Sequence, residues 1–440
     1  MFYGVFNYDA CMSEFFTIEG LAGARTLRGR VEVGGAKNAA LKVIAASILF
    51  KSPLSLTNVP DIEDVSRMLE ILRTMGCEID QSPHQVTINT NKLSSTTLTP
   101  EISKLLRASI VLTGPMLARQ GMVRFPHPGG CVIGERPIDL FVESYKKMGA
   151  SIKKVGKFYQ VKAPKNGLRG AELFFRVASV TGTETFMMAA TLAQGTTVIK
   201  NAAMEPEIPW LASVLNESGA KITGAGTPTI TIQGGGLLDA KKRIFRIVPD
   251  RIEAGCFLIL GALAAKNMTV ANLVPEHLEA LIELLEYSGT KVTRTKDSLT
   301  VTAPRKSSTL RSVDIRTHEY PGFPTDLQAP MMIYLTQTAG ESQVFETIFE
   351  GRLNYIESLN RMGANITMMD PHRVFTKGPI TLRGRRLESP DLRAGLAFVI
   401  AAIIAKGTSE IHSVYNIDRG YERIEERLRA VGVSIVRHKE

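Results

Sequence analysis

SYKKMGASI, residues 144–152, runs from an amphipathic stretch through Met148 into Gly149 and straight into a short alternating segment. The same passage recurs as ILRTMGCEI (71–79), VLNESGAKI (214–222), LLEYSGTKV (284–292), LNRMGANI (359–366) and LRAVGVSI (428–435). The six glycines, Gly76, Gly149, Gly219, Gly289, Gly363 and Gly432, are separated by 73, 70, 70, 74 and 69 residues. A glycine just past a helix takes the left-handed cap conformation at no steric cost, so each marks a helix end. Regular recurrence of that mark is the signature of an internal repeat.

Each repeat also opens alike, on a polar residue leading into a strongly apolar helix. The six openings are AKNAALKVIAASIL (36–49), LRASIVLTGPML (106–117), GTETFMMAATLA (182–193), DRIEAGCFLILGALAA (250–265), TDLQAPMMIYL (325–335) and DLRAGLAFVIAAII (391–404). Strands such as LSLTNV (54–59), TTVIKNA (196–202), MTVANLV (268–274) and SQVFETIF (342–349) follow. The first helix of each unit is apolar all round and is expected to be buried; the second, as in YERIEERLRAVG (421–432), is amphipathic and faces solvent. The expectation is an α/β fold turned inside out, helices within and sheets outside. Six such units are too many for one core and too few for an open solenoid, which groups them three per lobe with a break near IFRIVPDRIEAG (244–255).

Bulk composition agrees. At 440 residues, 44% hydrophobic and 22% charged, the chain is globular, and its longest apolar run, LAFVIAAIIA (396–405), is too short to span a membrane. The first residues lack the marks of a secretory signal, and Met12 is an alternative start. Four scattered cysteines, Cys11, Cys77, Cys131 and Cys256, point to a reducing cytoplasm rather than a disulfide framework. The net charge of +10 invites an anionic partner, but the basic residues form no nucleic-acid module, leaving a small anionic substrate. Histidines, cysteines and carboxylates show no metal-ligand spacing, and no Walker or GxGxxG sequence supports a nucleotide cofactor; neither metal nor cofactor is expected.

Counting back from the glycines locates the chemistry. Lys37, Arg107, Thr183, Arg251, Asp326 and Arg393 precede them by 36 to 42 residues, at the expected starts of the first helices. Arg136, Glu205, Glu276, Arg352 and Arg419 precede them by 11 to 14, at the expected starts of the second. Helix N-termini attract anions through unpaired N–H groups, and cations added there would line an anion-binding cleft between lobes. Cys131, in HPGGCVIGERPID (127–139), shares this setting, where nearby cations lower a thiol's pKa. Asp326 in FPTDLQA is an acid in a slot that otherwise holds cations; helix capping or general base are its two readings, and Asp250 and Asp391 share the first.

GGAKNAAL, LRAS, PGGCVIGERPID, TGTETFMMAA, NAAMEPEI, PDRIEAGCF, FPTDLQA, DLRAG and IDRGYERIEERL, in this order, resemble the UDP-N-acetylglucosamine 1-carboxyvinyltransferases, a family of enolpyruvyl transferases, over about residues 15–437. The resemblance implies a two-lobed inside-out α/β barrel: residues 37–248 as the UDP-sugar-side lobe, residues 14–36 with 249–440 as the catalytic lobe, and residues 1–13 as a disordered extension. It implies transfer of the enolpyruvyl group of phosphoenolpyruvate to the 3′-hydroxyl of UDP-N-acetylglucosamine, the first committed step of peptidoglycan precursor synthesis, in a cytoplasmic monomer or weak homo-oligomer without membrane insertion. By the same resemblance Cys131 is the proton donor or a residue closely engaged with the reacting atoms, can carry a covalent phosphoenolpyruvate adduct, and reacts with the epoxide fosfomycin. Lys37, Arg136 and Arg419 hold phosphate, Arg352 and Arg393 the carboxylate, Asn38 positions the reacting groups, and Asp326 takes the sugar hydroxyl's proton. Arg107, the segment Arg136, Pro137, Ile138, Asp139 and Leu140, the segment Ser179, Val180, Thr181 and Gly182, and Ile348 hold the UDP-sugar. Phe141, where many members carry histidine, Val177, where many carry lysine, and the leading dozen residues depart from the family. The alternatives are the related transferase acting on 3-phosphoshikimate and a nucleic-acid-binding or scaffold protein that has lost activity.

Overall fold

In the computed structural model the chain is described over residues 14–98, 100–127, 138–305 and 309–439. It divides into two compact units, one built from residues 14–34 and 249–439, the other from 35–127 and 138–248. Among the described residues each contains three sheets, and one strand plan serves five of the six. A short edge strand lies parallel to a second, which pairs antiparallel with a third, which pairs antiparallel with a fourth. In the 35–248 unit Ile244–Arg246 runs parallel to Leu54–Thr57, followed by Gln85–Asn89 and Glu78–Ser82. Glu172–Phe174, Thr196–Lys200, Thr229–Gln233 and Lys221–Thr223 repeat the plan. The remaining sheet, Met122–Pro126, Phe158–Lys162 and Ser151–Val155, has three strands, with a single parallel bridge from Thr97 to Arg124 where the edge strand would lie.

The other unit closes on itself through the N-terminal segment. Leu27–Glu32 runs parallel to Ala265–Ala271, and Glu14–Glu19 lies between Thr408–His412 and Ser434–Lys439. Register there follows burial: Phe16 and Ile18, both wholly buried, sit opposite Ile411 and Ser409 on one side and Arg437 and Ile435 on the other. In the 35–248 unit the closing strand, Ile244–Arg246, comes instead from the last residues of the unit. Closure of this kind satisfies strand edges that would otherwise be open to pairing with other chains.

The first helices lie inside. All thirteen residues of Leu392–Ile404 are buried, as are all but Arg251 of Arg251–Ala264, and the sheets cover them with one face each. The second helices are amphipathic: Glu63–Thr74 buries Val65, Met68, Leu69, Ile71 and Leu72 and carries Arg67, Glu70 and Arg73 elsewhere on its surface. All six repeat glycines have φ between 85° and 111°, the left-handed conformation that their spacing implied.

Several helix starts differ from expectation. Arg107 begins the 3₁₀ turn Arg107–Leu112, and Asp326 is the second residue of the 3₁₀ turn Thr325–Leu327, ahead of the α-helices Thr113–Gln120 and Gln328–Leu335. Pro115 and Pro330, third in those helices, lack the N–H that would continue the α-helical ladder backward, so the chain winds more tightly before them. Thr183 lies inside Val180–Thr191, because Ser179 caps that helix by accepting from Gly182 N. Glu205 lies just ahead of the helix Glu207–Glu217, and Glu276 in a 3₁₀ turn, Pro275–Leu278. Arg352 sits in the turns before Ile356–Arg361, and Arg419 follows the short helix Tyr415–Asp418.

Candidate active site

In the unit of residues 14–34 and 249–439, three of the expected site residues meet. Arg352 Nη2 donates to Asp326 Oδ1 at 3.0 Å and Arg393 Nη2 to Asp326 Oδ2 at 2.8 Å. Both guanidiniums are buried, and the carboxylate is about a quarter exposed. Asp250 and Asp391 are helix caps, each Oδ1 accepting from two backbone N–H groups, Ile252 and Glu253 for one and Arg393 and Ala394 for the other. Asp326 lies one residue into its 3₁₀ turn and faces two cations. Nε and Nη1 of Arg352 are buried without a hydrogen-bond partner among the described residues, so the guanidinium keeps donors for an anion.

A second layer holds this clamp. Arg393 Nη1 donates to Tyr421 Oη at 2.8 Å, its guanidinium lies 5.5 Å from the Tyr421 ring centroid, and Tyr421 Oη lies 3.6 Å from Cys256 Sγ. Burial pushes the Cys256 thiol up to about 12 and the Tyr421 hydroxyl well above its ordinary range, so both stay neutral partners of the arginine. The Glu346 carboxylate, also buried, accepts from Thr325 Oγ1 beside Asp326 and from the backbone N–H of Ile348 and Phe349. It thereby ties the Asp326 turn to the turns carrying Ile348 and Arg352. Sequence reasoning passed over Tyr421, Cys256 and Glu346. Arg419 is half-buried beside Asp418, whose carboxylate is taken by Arg437 at 2.7 and 2.9 Å.

In the other unit Lys37 opens the helix Lys37–Ala46, and its Nζ lies 2.8 Å from Asp64 Oδ2, both side chains largely buried. Asp64 was missed, although a signal existed: it stands 12 residues before Gly76, in the slot that holds Arg352 and Arg419 in later repeats. Asn38 follows Lys37 in the same turn. Gly35 allows the chain to enter this helix, because a Cβ there would stand 1.8 Å from Asn58 O. Arg107 starts its 3₁₀ turn half-buried. Two expected UDP-sugar segments also come together. Ile138 is buried, Asp139 and Leu140 open the helix Asp139–Lys147, and a Cβ on Gly182 would lie 2.5 Å from Leu140 Cδ2, so Leu140 packs closely on the capped start of Val180–Thr191. Ser179, Val180 and Thr181 lie half-exposed at that start.

Phe141 is buried with its ring 5.9 Å from that of Phe186, and Val177 is 66% exposed. Cys131, Arg136 and Pro137 lie outside the described residues. Among the described residues no three histidine, cysteine, aspartate or glutamate side chains gather as metal ligands would, and no helix is long and apolar enough to cross a membrane.

Comparison with known proteins places these features in a family. The model of the EPSP synthases (3-phosphoshikimate 1-carboxyvinyltransferases) matches residues 21–428. A UDP-N-acetylglucosamine 1-carboxyvinyltransferase of Nitratiruptor sp. is 40% identical over 97% of this chain and all of its own length. UDP-N-acetylglucosamine 1-carboxyvinyltransferase 2 of Carboxydothermus hydrogenoformans is 44% identical over 96% of this chain and 99% of its own. Among solved structures, the enolpyruvyl transferase NikO from Streptomyces tendae superposes with a TM-score of 0.84 at 21% identity, covering 97% of this chain and 99% of its own. EPSP synthase from Acinetobacter baumannii superposes with a TM-score of 0.75 at 18% identity, covering 97% and 100%. The fold is thus the two-lobed inside-out α/β barrel, and with full-length identity of this order to relatives of that name, the chain belongs to the UDP-N-acetylglucosamine 1-carboxyvinyltransferase family of enolpyruvyl transferases.

Proposed function

We propose that the protein transfers the enolpyruvyl group of phosphoenolpyruvate to the 3′-hydroxyl of UDP-N-acetylglucosamine, releasing phosphate, as a cytoplasmic step of peptidoglycan precursor synthesis. The observation that carries the reading is kinship at 40–44% identity over nearly the whole chain with transferases named for that acceptor.

The chemistry is an addition followed by an elimination. C3 of phosphoenolpyruvate takes a proton, C2 becomes cationic, and the sugar hydroxyl bonds to C2 while giving up its proton. A proton then leaves C3 and phosphate leaves C2, restoring the double bond. Cys131 supplies the proton to C3 in this scheme, and Asp326 accepts the hydroxyl proton. The ion pairs that Asp326 makes with Arg352 and Arg393 support its role, because a substrate carboxylate that draws those guanidiniums toward itself would free the aspartate to act as a base. Arg352 brings further donors to such a carboxylate through the two nitrogens that have no partner among the described residues. Lys37, Arg136 and Arg419 hold the phosphate, Asn38 aligns the reacting atoms, and the cations stabilise charge as it moves from enol to phosphate. Arg107, residues 136–140, Ser179 to Gly182 and Ile348 hold the UDP-sugar.

The test is identification of the product. Incubation with both substrates should yield UDP-N-acetylglucosamine bearing one enolpyruvyl group by mass spectrometry, and in D₂O the vinyl carbon should acquire deuterium, since protonation and deprotonation at C3 exchange its hydrogens. An unmodified UDP-sugar would reject the assignment.

A further inference from the structure

The helix Lys37–Ala46 reads as an apolar core helix, yet Lys42 within it is buried, and its Nζ lies 2.7 Å from Oε2 of Glu184, which is wholly inaccessible. Glu184 belongs to Val180–Thr191, two residues past Gly182. Its Oε1 has no partner among the described residues, and the buried carboxylates of Glu205 and Glu207 lie close enough to disfavour its charge. The buried pair thus has two further carboxylates near its acidic member. The same ammonium lies 3.5 Å from the carbonyl of Asn38, one turn back toward the helix start. Thr183, adjacent to Glu184, accepts from Ala203 N at 3.0 Å, which fixes the start of Val180–Thr191 against the segment leading to Glu205.

A buried ion pair is a poor device for stability alone. Desolvation of two charges cancels most of their attraction, and an apolar pair of similar volume often serves as well or better. What the pair does here is join two helices at one place. One carries Lys37 and Asn38; the other carries Ser179 to Gly182 at its capped start. We infer that Lys42 and Glu184 are positioning residues that fix the spacing between the group holding the phosphoenolpyruvate phosphate and the segment holding the UDP-sugar. The inference rests on the function proposed above.

Three variants test it beside the wild type: Glu184→Gln, Lys42→Met, and the double apolar replacement Lys42→Met with Glu184→Leu. Unfolding midpoints in urea, affinity for UDP-N-acetylglucosamine alone by calorimetry, and kcat with both substrates saturating are measured for each. The double variant should keep a midpoint near that of the wild type and bind the UDP-sugar within about threefold of it, while kcat falls about 10- to 100-fold, the loss that a misplacement near 1 Å produces. Glu184→Gln, which conserves shape, should show the same split more weakly and serves alone if the apolar variants do not fold. Wild-type kcat in the folded double variant, or in Glu184→Gln if only that folds, overturns the inference and leaves the proposed function standing. A kcat loss that parallels loss of midpoint and affinity overturns it too, since a purely structural pair would behave so. A wild-type protein that releases no phosphate fails the function itself and removes the basis of the pair's role.

Discussion

Asp326 stands between two arginines, each bonded to a different oxygen, and that geometry sets what its replacement should do. Asp326→Asn keeps the shape but removes both the base and the counter-charge. The expected result is a fall in kcat of about 10²- to 10⁴-fold, the range for loss of a general base, with KM for phosphoenolpyruvate changed much less; a kcat within threefold of wild type would remove Asp326 from the chemistry. The cysteines separate just as sharply. Burial raises the Cys77 thiol to about 11 and Cys256 to about 12, so at neutral pH neither offers appreciable thiolate. Peptide mapping after brief treatment of the native protein with fosfomycin or iodoacetamide should find both unmodified and Cys131 modified. Labelling of Cys256 in the folded protein would contradict its place behind Arg393. At this scale the sequence was half legible. Arg352, Arg393 and Asp326 stood out because they break or fill a repeat slot. Tyr421, Cys256 and Glu346 were found only through their contacts with Arg393, with each other and with Thr325, and nothing in their spacing distinguishes them from core.

Helix ends carry the next prediction. Gly219 has φ of 111° and open space where a Cβ would stand, so Gly219→Ala tests backbone conformation without a clash. It should cost about 1–2 kcal/mol, seen as a lower urea midpoint with kcat unchanged; an undiminished midpoint would mean that the left-handed cap is dispensable. Glu184 supplies a pH signature at the same scale. Its pKa rises from 4.5 to about 7, chiefly through desolvation, with Glu207 and Glu205 adding to the rise and Lys42 opposing it. Below pH 4.5 the group is protonated whether folded or unfolded; between 4.5 and 7 the unfolded chain loses the proton first, so stability falls as pH rises, then levels above 7. At about 1.4 kcal/mol per unit, the wild type should lose up to about 3–4 kcal/mol relative to Glu184→Gln across that window, read from urea midpoints at successive pH values. A constant difference would place Glu184 in a wetter setting. The repeat period made these elements legible, but not their exact starts: Pro115 and Pro330 turn two of them into 3₁₀ windings. Lys42 was hidden because a lysine in an apolar helix gives no hint of a carboxylate contributed 142 residues later.

For the whole molecule, six glycines at a near-constant interval were enough to infer three repeats per lobe, because each repeat must bury its first helix against others of its kind. Closure was beyond that reasoning. Which strand completes a sheet depends on pairing between distant segments, and Glu14–Glu19 finds Ser434–Lys439 across nearly the entire chain. Phe16 and Ile18 on that strand are wholly buried, so deleting residues 1–20 should expose the core of its unit and abolish a cooperative unfolding transition for it. The claim on which the rest depends is the acceptor. Phosphate release measured with phosphoenolpyruvate and, in parallel, UDP-N-acetylglucosamine or 3-phosphoshikimate tests it most directly: the account predicts turnover with the UDP-sugar and none with 3-phosphoshikimate, and release with 3-phosphoshikimate alone, or with neither, would contradict it.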